Sequence, residues 1–210
     1  MNRALKWLLF IIIIIVVCVA ISAAFVMYGT VATVKKPAIY LYPEEDSRIS
    51  VVLDINGGII KDIPDYNDGW DVFVTKDGLI ENQYDYLFYE NTLGTIDLPE
   101  EGWVVARDDL YYWFDANLPR MGLNEKEEAQ FKEYWMPELT DSEYYEIKLF
   151  DIGFLNENMD LIIIPEPDTE IRLIFSFRAV DGAYEIESPE IVTPVRDGFT
   201  VVEWGGAILY

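Results

Sequence analysis

The 210-residue chain contains no histidine, and its single cysteine, Cys18, lies inside a long apolar run. Without imidazole or a second thiol, Ser-His and Cys-His nucleophilic sites, zinc centres of the usual His/Cys kind, histidine pH switches and disulfides are excluded. There is no phosphate-cradling glycine loop either. Positive charge is scarce: 15 Lys and Arg stand against 38 Asp and Glu, a formal net charge of −23. All of the acidic residues follow position 36, where only eleven of the basic ones lie. Such a field repels nucleic acid and anionic head groups, so no nucleic-acid partner is expected. The chemistry left to the chain is that of carboxylates, tyrosine, serine and lysine, and of metals that take oxygen ligands.

What the sequence does have is an unbroken apolar run from Leu8 to Tyr28, free of charge and proline. At about 1.5 Å of rise per residue it forms a helix of roughly 30 Å, the thickness of the hydrocarbon core of a bilayer. The expected organisation is a cytoplasmic tail (1–6), a transmembrane signal anchor (7–29), a juxtamembrane linker (30–36) and an acidic, β-rich ectodomain (37–210). A buried core helix would show a polar face, and this run has no polar side chain before Ser22 apart from Cys18. Cleavage as a signal peptide is the alternative, since Arg3 and Lys6 form a basic start and Ser22-Ala23-Ala24 or Thr30-Val31-Ala32 satisfies a small-x-small rule. The apolar block, however, exceeds the roughly 7–15 residues of a signal sequence. Val17 is too bulky for lipoprotein processing at Cys18, which reads as lipid-facing. The early basic tail places the N-terminus in the cytoplasm and the body outside a single-pass cell membrane protein, with Trp7 and Tyr28 at the two interfaces.

The body reads as one domain of the α+β class, an antiparallel β-sandwich-like ectodomain with a two-helix insert. Period-2 alternation marks strands at 38–43, 48–55, 70–75, 84–90, 102–106, 144–150, 161–165, 171–180, 183–187, 190–195 and 199–204. Asn56-Gly57-Gly58 reads as a turn, and Asp-Gly pairs starting at 68, 77, 181 and 197 favour hairpins. In the middle, Leu110, Trp113, Phe114 and Leu118 fall at helical spacing, and Pro119 and Gly122 end that helix. Asn124 with Glu127 forms a capping-box pattern that opens a second helix carrying Phe131, Trp135 and Leu139. A helical hairpin over 108–139 is therefore expected, laid on a sheet, with Trp103, Trp113, Trp135 and Trp204 buried. Along 171–180, Ile171, Leu173, Phe175 and Phe177 face one way and Arg172, Ser176 and Arg178 the other.

The strings KPAIYLYPE, YNDGWDV, YDYLFYE, GLNEKEEAQFKEYWMPEL, PEPDTEIRL and GFTVVEWGG span nearly the whole body. As a set they resemble a family of bacterial and microbial proteins of unassigned function, whose members carry KPxIYLYP, YxxGW, YLFWE, GLNxxExxxFxxYWxP and FTVVEWGG in that order. Tyr89 stands where that pattern has tryptophan. The resemblance implies no activity.

The strongest local site candidate is the segment Asp65-Tyr66-Asn67-Asp68-Gly69-Trp70, which places rings and carboxylates together in a short turn. Asp65, Tyr66, Asp68 and Trp70 are the expected binding residues. Asp65, Asn67 and Asp68 also form a weak calcium pattern, echoed by 156–160, but neither has the twelve-residue spacing or the final glutamate of an EF-hand. No other cofactor is expected. Glu90, Glu203, Asp65 and Asp68 each neighbour an aromatic residue, which keeps a carboxylate-dependent glycoside hydrolase as an alternative. The leading expectation is non-catalytic binding of a surface polymer, sugar or protein partner. A structural subunit of a membrane assembly is the third possibility.

Overall fold

The computed structural model describes residues 32–94 and 96–209. The expected tail, the membrane span and the first two residues of the expected linker lie outside the described residues. Among the described residues no helix is long and apolar enough to cross a membrane.

The architecture is mostly β, with few helices. Among the described residues ten strands form two sheets: β1 (Ala32–Tyr42), β2 (Ser47–Ile55), β3 (Gly57–Ile63), β4 (Trp70–Val74), β5 (Leu87–Leu93), β6 (Trp103–Ala106), β7 (Tyr144–Leu149), β8 (Met159–Ile164), β9 (Thr169–Val180) and β10 (Thr200–Leu209). The larger sheet has the order β3-β5-β1-β10-β9-β7-β6, and the smaller the order β4-β2-β8. Strand β1 begins at Ala32, so part of the segment expected to be a linker is already paired with β5 and β10.

One apolar cluster joins the two sheets, with Ile39, Leu41, Ile174 and Val201 of the larger meeting Val51, Val72, Leu161 and Ile163 of the smaller. A second cluster lies on the opposite face of the large sheet, where Tyr40, Phe175, Phe177 and Trp204 meet the helices. These are α1 (Leu110–Asn117) and α2 (Glu125–Glu138). Asn124 caps α2 as its sequence predicts: its side chain accepts from the Glu127 amide at 3.0 Å, and Glu127 accepts from the Asn124 amide at 2.8 Å. Lys132 ties the pair together, bonding Asp115 of α1 and Glu128 of α2. The alternation of β9 is as expected, but both of its faces are covered, and it is a central strand, paired with β10 on one edge and β7 on the other.

Four expectations need correction. The pairing is not wholly antiparallel, because β9 and β10 run parallel. Asn56-Gly57-Gly58 does not close a hairpin; it carries the chain from β2 in one sheet to β3 in the other. Residues 156–158 lie in a third helix, α3 (Ile152–Asn158), capped by Asp151, so the second acidic segment is not a loop. The runs at 183–187 and 190–195 form no strand. Pro189 and Pro194 remove backbone donors there, and the parallel pair needs a long return connection in place of a tight turn.

That connection is a strap. Tyr184 and Arg178 bond Glu146 on the face of the large sheet away from the helices. Next, the Gly102 amide donates to the Glu187 carbonyl at 2.8 Å, beside the edge strand β6. Farther on, Arg196 bonds Glu127 and the Gly122 carbonyl on the helix side. The strap thus wraps round the β6 edge. Gly122, at φ +107°, has to be glycine: a β-carbon there would lie 2.5 Å from Pro194.

Candidate functional site

The segment singled out from sequence is a tight turn whose rings point inward. Asn67 and Gly69 take left-handed φ values of 49° and 139°, and the Gly69 amide donates to the Tyr66 carbonyl at 2.8 Å. Trp70 is 3% exposed and its indole donates to the Pro64 carbonyl at 2.8 Å. Tyr66 packs edge-on against Trp70 with centroids 4.8 Å apart. Its hydroxyl accepts from the Leu53 amide at 2.7 Å. Both rings therefore serve the core between the sheets, and Asp65, Asn67 and Asp68 are left as the exposed part of the turn. Among the described residues no three His, Cys, Asp or Glu side chains converge on a point where a metal could sit.

Of the other carboxylates, Glu203 is fully buried. Arg172 donates to it at 2.7 Å and Tyr89 at 2.6 Å, so both of its oxygens are occupied. Burial, reinforced by Glu203, pushes the Tyr89 phenol up. Arg172 also bonds the Met159 carbonyl, pinning β8 to the large sheet. Glu90 projects from the opposite face of the large sheet, 3.9 Å from Lys61. The structure does not bring Glu90 and Glu203 together.

An open groove lies elsewhere, at the β6 margin. It encloses about 950 Å³ between β6, α1 and the strap. Trp103 and Trp113 stand in it with centroids 5.1 Å apart and planes at 63°. Tyr112 and Tyr184 add rings that are 72% and 43% exposed. Asp109, Glu185 and Glu187 supply carboxylates, and Asn117 an amide. Local physics explains why the site forms here. Among the described residues no strand pairs with the outer edge of β6, α1 is only two turns long, and the strap crosses the margin without joining the sheet, so the rings there are only partly covered. One side of the groove is anchored by Glu146. Burial alone would raise its carboxyl, but hydrogen bonds from Tyr184 and Arg178 hold it below its ordinary value. Burial and the same contact raise the Tyr184 phenol.

Trp103 and Trp113 were expected in the core, and both are only partly buried. Trp113 shares the apolar face of α1, and nothing local distinguishes a core ring from one at an uncovered margin. A usable signal was Tyr111-Tyr112, a pair of rings off that apolar face; both are exposed.

No family model matches the chain, and no solved structure matches it. An uncharacterized protein in the bglA 3' region of Butyrivibrio fibrisolvens is 54% identical over 61 residues, covering 26% of this chain. The chain spans 64% of the length of that curated relative.

Proposed function

We propose that this is a non-catalytic binding module displayed outside the cell by a membrane anchor at 7–29, and that the β6 groove receives a stretch of neutral surface polysaccharide. The observation that carries this reading is the groove itself: four accessible aromatic side chains interleaved with three carboxylates in one open trough. Ring faces pack on the C–H faces of sugars, and carboxylates accept from their hydroxyls. Because the two indoles are tilted rather than coplanar, the trough fits a single curving chain better than a flat crystalline surface. The motif set supports membership of the microbial family it resembles. Against the hydrolase alternative stands the fixed ion pair at Glu203, which leaves no free oxygen for proton transfer.

The test is tryptophan fluorescence of the full-length protein in mild detergent, titrated with soluble neutral wall oligosaccharides. Tyr112→Ala removes an exposed ring, so the fold should survive with a change of about 0.5 kcal/mol or less. Affinity should fall about tenfold or more. Undiminished binding would reject the groove. Release of reducing ends that vanishes with Glu187→Gln or Asp109→Asn would establish the hydrolase instead.

A further inference from the structure

We infer that the opposite margin of the large sheet holds a second site, built around Lys36, that takes the carboxylate of an acidic sugar. This site is independent of the β6 groove.

It begins with two of the sequence motifs, which meet in space. The pairing of β1 with β10 slips between Lys35 and Ala38, and so does its pairing with β5 between Val34 and Ala38. Inside this bulge Lys36 has φ 57°, a left-handed conformation that a residue with a β-carbon seldom adopts without a reason. Gly205, from the closing EWGG, makes room for the bulge: a β-carbon there would lie 2.9 Å from the Pro37 backbone. The KP and GG motifs thus cooperate to aim one lysine.

The bulge carries the Lys36 ammonium over three rings, 4.3 Å from the Tyr86 centroid, 4.7 Å from Phe88 and 5.8 Å from Tyr134. It also donates to the Tyr86 hydroxyl at 2.6 Å. The Lys61 ammonium lies 4.9 Å from the same Phe88 ring. Together they overlook a pocket of about 430 Å³ that also presents Tyr84 and Gln83.

Charge decides what such a pocket takes. Among the described residues Lys36 forms no ion pair; its partners are π faces and a neutral hydroxyl. Rings hold an ammonium without neutralising it. Asp85, the carboxylate in the pocket lining, is already bonded by Lys126 at 2.6 Å and Gln130 at 3.1 Å. Glu90 is 3.9 Å from Lys61, a loose contact. On a protein of net charge −23, which repels anions nearly everywhere, two ammonium groups beside one ring form a local attractor. The rings and the Gln83 amide add what a bare inorganic anion cannot use: a surface for sugar C–H groups and a partner for a hydroxyl. A lysine serving solely to clip β1 to β5 would show the same cation–π contacts but no ligand.

The experiment is calorimetric titration of the full-length protein in mild detergent with a tetramer of galacturonic acid, with its neutral galactose counterpart and with inorganic phosphate. The expected result is binding of the uronate tetramer that weakens as salt rises and falls at least tenfold in Lys36→Met. Lys61→Met should weaken it severalfold. Because Lys61 has a side chain 55% exposed, that variant keeps its fold and reports even if Lys36→Met does not. Binding of the neutral tetramer with equal affinity at this site, binding of phosphate as tightly as uronate, or uronate binding untouched by Lys61→Met and by salt would each overturn the inference.

Discussion

At one margin of the seven-stranded sheet, rings stand among Asp109, Glu185 and Glu187 in a long open groove; at the other, rings stand around Lys36 and Lys61 in a pocket less than half its volume. Both margins flank the same helical pair, yet they arise by opposite means. The β6 groove exists because something is missing: among the described residues no further strand pairs with β6, and the strap bows round its edge. The Lys36 pocket exists because something is added, a bulge that pushes a lysine out of register. A site made by omission is roomy and tolerant, whereas one made by distortion is small and aimed. Net charge conveys neither, since a chain of −23 carries a cationic pocket as well as an acidic trough.

The sharpest way to break the comparison is to remove the cover that the two margins share. Trp135, fully buried with its centroid 4.6 Å from that of Phe177, holds α2 to the sheet. Trp135→Ala should cost about 3–5 kcal/mol and lower the melting temperature seen by circular dichroism, with binding lost at both margins. An unchanged melting point would mean that the helices do not depend on the sheet.

Next in size is Glu203→Gln, which leaves the Arg172 guanidinium buried opposite a neutral amide. A loss of about 3 kcal/mol in a urea titration is expected, with ligand affinities unchanged below the transition. Selective loss of a catalytic activity at full stability would restore Glu203 as a functional acid.

Tyr184→Phe separates the margins. It removes the hydroxyl that bonds Glu146, should cost about 1–2 kcal/mol, and should weaken only the groove ligand. Acid should do the same to the wild type. The Glu146 carboxyl is held below its ordinary value of 4.5, so its contribution is complete above that pH and is lost as pH falls through the lower, folded-state value. In Tyr184→Phe this acid-side loss, followed by equilibrium unfolding at several pH values, should be shallower.

The smallest effect is expected from Asp65→Asn with Asp68→Asn. Both side chains are exposed on the turn, so stability should move by no more than about 0.5 kcal/mol, and binding at either margin should not move. Loss of polymer binding in this variant would make the turn, rather than the groove, the contact surface.

The helical pair and its capping box were legible because caps and helical spacing are local chemistry. The alternation of β9 was legible for the same reason, but period two says which residues share a face and not whether that face is covered. Arg172 therefore reads as lying on the face opposite Phe175 and Phe177, with nothing to show that the smaller sheet covers that face and buries it against Glu203. The strap has the alternation of a strand and lacks a neighbour to pair with, a fact about topology that no window of sequence contains. The groove was hidden by sequence distance: Trp103, Trp113 and Tyr184 come together only once β6 is the last strand of its sheet. The Lys36 pocket was half visible, since KP and EWGG stood out as motifs, but their mutual fit rests on a backbone angle.

Strand β1 pairs with β10 from Val34↔Ala207 to Tyr42↔Thr200, so the earliest and latest described strands are neighbours in the interior of the sheet. Contacts so distant along the chain close late and slowly, because the loop entropy of everything between them must be overcome first. While the chain is being made, AIYLYP waits with β5 as its partner on one side and an open row of backbone donors and acceptors on the other. A product cut before Thr200 would lack the middle of its sheet rather than a margin, baring β1 and β9 together, and exposed edges of that kind invite aggregation. Closure of the large sheet therefore waits on β10, because β1 and β9 have no common neighbour until that strand is present.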